Sequence, residues 1–321
     1  MAEEELDLLL SGKGWPVPEE YDAGPPPPLQ PVRLRRNTCY VVMAVLLNEK
    51  NEVLMMQEAK LECHGTWYLP AGRMEPGETI VEAMQREVKE EAGLDCQPLT
   101  LLAVEDRGPS WLRFIFLARP TGGTLKSLQD ADEESLQARW WDRKSPSLPL
   151  RARDIVPFMD LALQYQANPC HPLLLPVELP CAVICQRLLA VFTDSGGAPW
   201  VLLGTARSLH LPVVVSGVSS SARGSRLLVA IHQLLQECLP PPHMVVQVRG
   251  LLGLQHLGKE PGQSDGICFN TVVTIGDFGQ CSKEKPPELQ SKAFHWWKVE
   301  DEDLKSRVLQ RLSTSSFIPV H

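Results

Sequence analysis

No stretch of this sequence stays apolar for long enough to cross a bilayer as a helix. The longest such run, about ten residues around Tyr40 to Leu47, is roughly half of the ~20 that a crossing needs. Later leucine-rich stretches are broken by Pro172, Pro176 and Pro180, so no membrane segment is expected. An excess of positive charge is also missing: 31 Lys and Arg face 39 Asp and Glu, a net charge of −8. Affinity for a nucleic-acid backbone comes mainly from cationic side chains that displace counterions, so no nucleic-acid polymer is expected as a partner. The one basic patch, Arg33-Leu34-Arg35-Arg36, is read as a solvated strand entry. Glu3, Glu4 and Glu5 carry the wrong sign for a secretory n-region or a transit peptide, and a cytoplasmic location is expected. The nine cysteines show no paired spacing, which suits reduced thiols. Cys181 and Cys185 lack a second Cys/His pair at zinc-site distance and are read as buried thiols. Nothing sets the oligomeric state.

What is present suffices for two cores. A chain of 321 residues, 44% hydrophobic and 22% charged, is long for one domain and ample for two. Residues 1–31 end in Gly24, Pro25, Pro26, Pro27, Pro28 and Pro31, the composition of a stiff tail or spacer. A first mixed α/β domain is expected over 32–165. Its hairpin pairs Cys39–Leu47 with Glu52–Met56, and its later strands cover Leu99–Glu105, Leu112–Leu117 and Arg139–Asp142. Thr79 with Glu82 three residues on is a capping-box start, Ile80, Ala83, Met84 and Val88 repeat at helical spacing, and Gly93 can close the turn; a helix is expected from Ile80 to Ala92. A second helix should cover Asp154–Tyr165. The proline-rich stretch 166–180 reads as a linker, and 181–321 as a second domain.

Glu87, Glu90 and Glu91 stand at i, i+3 and i+4 and so share one helical face. Carboxylates this close repel unless a cation sits among them, and hard oxygen ligands suit Mg²⁺, with Mn²⁺ also possible. A merely solvated acidic helix is the competing reading, since Arg86 has Glu82 and Glu90 at i−4 and i+4. It leaves unexplained the Gly/Pro loop before the helix, where Gly72 lets the backbone approach a ligand and Glu78 follows six residues later.

Gly72, Glu78, Arg86-Glu87-Val88, Glu90-Glu91 and Gly93-Leu94 match all nine defined positions of the 23-residue Nudix box, and the chain here resembles the Nudix hydrolases. The resemblance implies a Nudix α/β/α sandwich with a mixed sheet. It also implies that Glu87, Glu90, Glu91 and the Gly72 carbonyl hold the metal, that Arg86 orients the glutamates, and that Glu90 or Glu91 is the base. In related enzymes a carboxylate before a late Trp-bearing strand assists; Glu133 and Glu134 occupy that region and can equally be surface charges. Trp67 and Tyr68 could line a base pocket and Asp154 could bond a purine edge, or the aromatics pack the loop and Asp154 caps its helix. The resemblance is to the MutT-homologue branch that sanitises oxidised nucleotides. It implies hydrolysis of 8-oxo-guanine and other oxidised purine diphosphates to monophosphate and phosphate, a small-molecule nucleotide substrate. ADP-ribose hydrolysis is the alternative, on Pro109 fifteen residues after the box. A binding or scaffold protein that no longer catalyses is an alternative of another class.

The second half reads as a worn copy of the first, a degenerate Nudix-like α/β domain. Leu189-Ala190-Val191-Phe192 and Trp200-Val201-Leu202-Leu203 repeat the hairpin, Leu227–Leu239 the helix, and Trp296-Trp297 echoes Trp140-Trp141, with Gly250–Ile275 between as strands. Aligning Leu94 with Leu239 sets Gln233, Gln236 and Glu237 against Glu87, Glu90 and Glu91, so this domain is expected to be catalytically silent. Asp194-Ser195-Gly196-Gly197 is read as a hairpin tip rather than a serine-hydrolase fragment.

Overall fold

The computed structural model describes residues 2–24, 28–107, 111–144, 146–206, 208–216, 226–240, 244–259, 264–277, 284–314 and 316–321. Gly108, Pro109 and Ser110, the prolines Pro25 to Pro27, and Cys281 lie outside them. Two compact units divide the chain. One comprises Cys39–Glu105, Trp111–Leu175 and His321; the other comprises Met1–Thr38, Asp106–Ser110 and Pro176–Val320. The first helix, α1 (Ala2–Leu10), belongs to the latter.

The unit built on Cys39–Leu175 carries the acidic helix. Its strands are β1 (Cys39–Leu46), β2 (Val53–Glu58), β3 (Trp67–Tyr68), β4 (Ala71–Arg73), β5 (Leu94–Asp106), β6 (Trp111–Gly123) and β7 (Ser135–Trp141). They form a four-stranded sheet ordered β4-β1-β6-β5 and a three-stranded sheet ordered β3-β2-β7. β1 runs parallel to β6 and antiparallel to β4. Helix α2 (Ile80–Ala92) lies against β1, β4 and β7. It starts at Thr79, whose hydroxyl accepts from Glu82 N while Glu82 reaches back to Thr79 N, and stops at Gly93 with φ of 77°. A Cβ at Gly93 would sit 2.2 Å from the Thr124 carbonyl, so no other residue ends the helix there without displacing the chain. Helix α3 (Val156–Ala167) buries Phe158, Met159, Ala162 and Tyr165 in the same core as Met43, Val45 and Ile115.

The other unit repeats this topology. Its elements are β8 (Ile184–Thr193), β9 (Pro199–Gly204), β10 (Val213–Val215), α4 (Arg226–Cys238), β11 (Met244–Gln255), β12 (Ile267–Asp277), β13 (Phe294–Lys298) and α5 (Glu302–Thr314). β8 runs parallel to β12 and antiparallel to β9 and β10, while β9 pairs β13 as β2 pairs β7. Corresponding backbone bonds fix the register. Ala44 N donates to Pro70 O as Leu188 N does to Pro212 O, and Met74 N to Tyr40 O as Ser216 N does to Ile184 O. Tyr68-Leu69-Pro70-Ala71-Gly72 therefore corresponds to His210-Leu211-Pro212-Val213-Val214.

Two expectations are corrected. Residues 1–31 are not a bare spacer: Leu6, Leu9 and Leu10 of α1 pack with Leu189, Val201 and Leu252, and Glu5 pairs with the fully buried Arg187 at 2.8 Å. The three leucines stand at i, i+3 and i+4, a helical signal that the proline run overshadows. The helix alignment also shifts by one residue. The seven buried positions of α2 coincide with seven in and just after α4 when Ile80 is set on Leu227, which places Leu234, Glu237 and Cys238 opposite Glu87, Glu90 and Glu91. Gln233, Gln236 and Glu237 are exposed. Leu234 and Cys238 join Val214 in one apolar cluster.

Asp194 accepts from Ala198 N and Trp200 Nε1 between β8 and β9, a hairpin tip. His210 faces the Ser208 carbonyl through Nδ1 at 2.8 Å and the buried Asp22 carboxylate through Nε2 at 3.0 Å. Two acceptors favour the imidazolium, and the Asp22 hydrogen bond holds the pKa of His210 above its usual 6.5. Stabilisation by this pair is therefore full below the unfolded-state pKa and is lost as pH rises through the raised folded value. Thermal unfolding of His210→Gln should accordingly lose part of the decline that the native chain shows as pH rises above 6.5; identical pH profiles would disprove the coupling.

Candidate active site

Helix α2 and the strand before it build the site. Glu87 and Glu91 lie on the buried face of α2, turned toward β4, whereas Glu90 lies on its exposed side. Ala71 N donates to Glu91 Oε2 at 2.8 Å. Gly72 stands where a Cβ would meet the Glu87 carboxyl carbon at 2.1 Å, so the strand approaches the carboxylate as only glycine permits. Arg86 grips Glu78 with Nε at 3.0 Å and Nη2 at 2.8 Å, and its Nη1 donates to Glu87 at 2.8 Å and Glu90 at 3.0 Å. Its Nη2 also reaches the Arg73 carbonyl at 3.1 Å, tying loop to helix. The hydrogen bond that Arg86 donates to Glu78 heads the causes that raise the Arg86 pKa, so the guanidinium stays charged.

Carboxylate oxygens of Glu87, Glu91 and Glu134 lie within 4.8 Å of one another. Of the three box glutamates the structure thus brings together two, and the third member comes from the loop before β7. Glu90 stands outside this group on Arg86, and the neighbouring Glu133 is exposed. Burial pushes the pKa of Glu87 up against the opposing charge of Arg86, and that of Glu91 well up, with Glu87 adding repulsion. Two buried carboxylates and a third within reach, all hard oxygen donors beside a strand cleared of side chains, fit a divalent cation.

The aromatic side is built as a network. Tyr68 donates to Asp154 at 2.9 Å, Arg113 Nη1 donates to the Tyr68 oxygen at 2.9 Å, and Arg113 Nη2 pairs with Asp154 at 2.9 Å and with the buried Glu105. Burial pushes the Tyr68 phenol up to about 12. Asp154 does not cap α3; it lies in the turn Arg153–Ile155 before it, held by Tyr68 and Arg113. Trp67 is buried beneath the Arg139 guanidinium, 5.8 Å from its ring. The sequence reading overlooked Arg113 and Glu105, although a lone arginine inside the apolar run Leu112–Leu117 is a signal that something must pair with it.

A mixed-sheet sandwich whose capped helix presents buried glutamates to a glycine-cleared strand is the architecture of a Nudix hydrolase, and the NUDIX domain family model matches residues 38–161. Nudix hydrolases generally need a divalent metal. The likeness extends over the whole chain. It is 56% identical to the 8-oxo-dGDP phosphatase NUDT18 of Homo sapiens over 318 residues, 98% of this chain and 97% of that protein. Against the proteins of the same name from Mus musculus and Danio rerio the identities are 54% and 47%, covering 98% and 99% of this chain and 97% and 96% of theirs. The chain belongs to the Nudix hydrolase family.

Proposed function

We propose that this enzyme hydrolyses oxidised purine nucleoside diphosphates, 8-oxo-dGDP above all, to monophosphate and phosphate with Mg²⁺ as cofactor. The observation that carries the chemistry is the convergence of Glu87, Glu91 and Glu134 beside Gly72; the base and diphosphate preference follows the full-length relatives named 8-oxo-dGDP phosphatase. Glu87, Glu91 and Glu134 would hold the metal. A divalent ion bound there supplies charge neutralisation at the phosphate oxygens and an acidified water. Arg86 fixes Glu78 and Glu87 so that the loop and helix cannot separate, and Glu90, outside the ligand group and half exposed, takes the proton of the attacking water on its carboxylate. Glu90→Gln should then lower kcat by about a hundredfold while changing Mn²⁺ affinity less than twofold; a parallel loss of affinity would make Glu90 a ligand instead.

Phosphate and nucleotide release, measured with and without Mg²⁺ on 8-oxo-dGDP, dGDP, 8-oxo-dGTP and ADP-ribose, tests the reading. Preference for 8-oxo-dGDP supports it, preference for ADP-ribose replaces it, and silence on all four favours a binding module.

In the other unit, Val214 stands where Gly72 does, and Leu234 and Cys238 where Glu87 and Glu91 do. Apolar side chains fill the space a cation would need, which supports a catalytically silent partner domain. Mn²⁺ titration of the Glu87→Gln, Glu91→Gln double variant should find no remaining tight site; a retained one would contradict this.

A further inference from the structure

Glu134 belongs to an exposed loop, yet its carboxylate reaches two buried glutamates of α2. Such a loop residue does not hold a place by itself, because ordering a long side chain and its backbone costs conformational entropy. The exposed Lys60, 3.7 Å from its carboxylate, is a weak hold; the buried anchor of its backbone is an ammonium. Lys126 is only 7% exposed, an unusual place for a lysine unless it is fully paired.

Its Nζ donates to the Glu90 carbonyl at 3.0 Å and to Ser135 Oγ at 2.7 Å, and pairs with Asp132 Oδ2. The Glu90 carbonyl lies in the last turn of α2, where carbonyls have no partner within the helix and a positive charge is favoured. Lys126 N meets the Ala92 carbonyl at 2.9 Å, so one residue satisfies two carbonyls of that turn. On the other side, Asp132 Oδ1 accepts from the backbone N–H groups of Glu134 and Ser135, both at 2.9 Å. The Glu134 carbonyl accepts from Ala59 N at 3.1 Å. An unbroken chain of charge-assisted bonds thus joins the end of the glutamate helix to the backbone of Glu134.

We propose that Lys126 and Asp132 are positioning residues, a clamp that sets the Glu134 carboxylate at ligand distance from Glu87 and Glu91. The inference rests on the metal-ligand role of Glu134 given above. Neither residue touches the metal site; both act through the backbone on either side of it. Removing either lets the loop drift from the helix, and the ligand group then loses its third member while Glu87 and Glu91 stay in place.

The test is Mn²⁺ affinity of the full chain without substrate, read by the electron paramagnetic resonance of free Mn²⁺, for Glu134→Gln, Lys126→Met, Asp132→Ala and each of the latter two combined with Glu134→Gln. Asp132 is half exposed and should fold without hindrance even where loss of the buried lysine does not. Each single variant should raise the Mn²⁺ Kd by about tenfold, the size of effect expected of groups that orient a ligand. In the Glu134→Gln background, Asp132→Ala and Lys126→Met should add less than twofold, because the group they position is already gone. A purely structural role predicts the opposite, an equal loss in both backgrounds, and that result overturns the clamp. Unchanged affinity in Asp132→Ala with weakened affinity in Glu134→Gln also overturns it while leaving Glu134 a ligand. Unchanged affinity in Glu134→Gln overturns the ligand assignment itself, and the clamp with it.

Discussion

Glu91→Gln should hydrolyse nucleotide about a thousandfold more slowly than the native chain and, in metal-free buffer, should melt no earlier. The two halves of that result have one cause. Glu91 is 4% exposed, and burial raises its pKa well above the usual carboxylate range, with Glu87 and Glu58 adding repulsion. An unoccupied carboxylate here destabilises the fold, because the folded chain binds a proton that the unfolded chain releases; metal-free stability of the native protein should therefore fall as pH rises above the ordinary carboxylate value. Glutamine removes that decline. It is isosteric and keeps an oxygen to accept from Ala71 N, yet it binds a hard dication far less well than a carboxylate. Turnover measured across Mg²⁺ concentrations, with melting curves in chelator at several pH values, checks both parts. A variant that loses stability along with activity would show that Glu91 is structural, and an active variant would remove it from the site.

The acidic helix was legible in the sequence because its rules are local. Capping at Thr79, closure at Gly93 and the periodicity of Ile80, Ala83, Met84 and Val88 place α2 at Ile80–Ala92 in the structure as well. Glu87 and Glu91 sit four residues apart on one face, so their convergence was readable too. Glu134 was only half readable: nothing in a run of acidic residues distinguishes the one that reaches the helix, since a lysine eight residues earlier and the Asp132 turn decide it. The Arg113, Glu105, Tyr68 and Asp154 network joins β6, β5, β3 and the turn before α3, pairings that no spacing encodes. The one-residue shift between α2 and α4 has the same origin, because burial sets a helix's phase and an alignment through a glycine does not. For α1, three leucines carried a helical signal that the proline count of the segment outweighed.

Gly72→Ala should cost more in chemistry than in folding: activity down about a hundredfold, the effect of displacing a reacting group by roughly 1 Å, with stability changed by only about 1 kcal/mol. The added methyl would lie 2.1 Å from the Glu87 carboxyl carbon and from its Oε2, closer than any real contact. Gly72 does not occupy the left-handed region, so alanine brings no backbone strain and the whole conflict falls on one side chain. A carboxylate at the end of a flexible chain can turn away, and the fold survives. Turning away, however, takes Glu87 from Arg86 Nη1 and from its place beside Glu91 and Glu134. The measurement is kcat and Mn²⁺ affinity beside the melting temperature. Weakened Mn²⁺ binding in a folded chain is the expected pattern, whereas a large drop in melting temperature with native metal affinity would mean that the strand, not Glu87, gives way. The other unit carries the same geometric lesson in reverse. Val214 fills the position of Gly72, and its neighbours Leu234 and Cys238 tolerate the extra volume because neither has a carboxylate to keep clear.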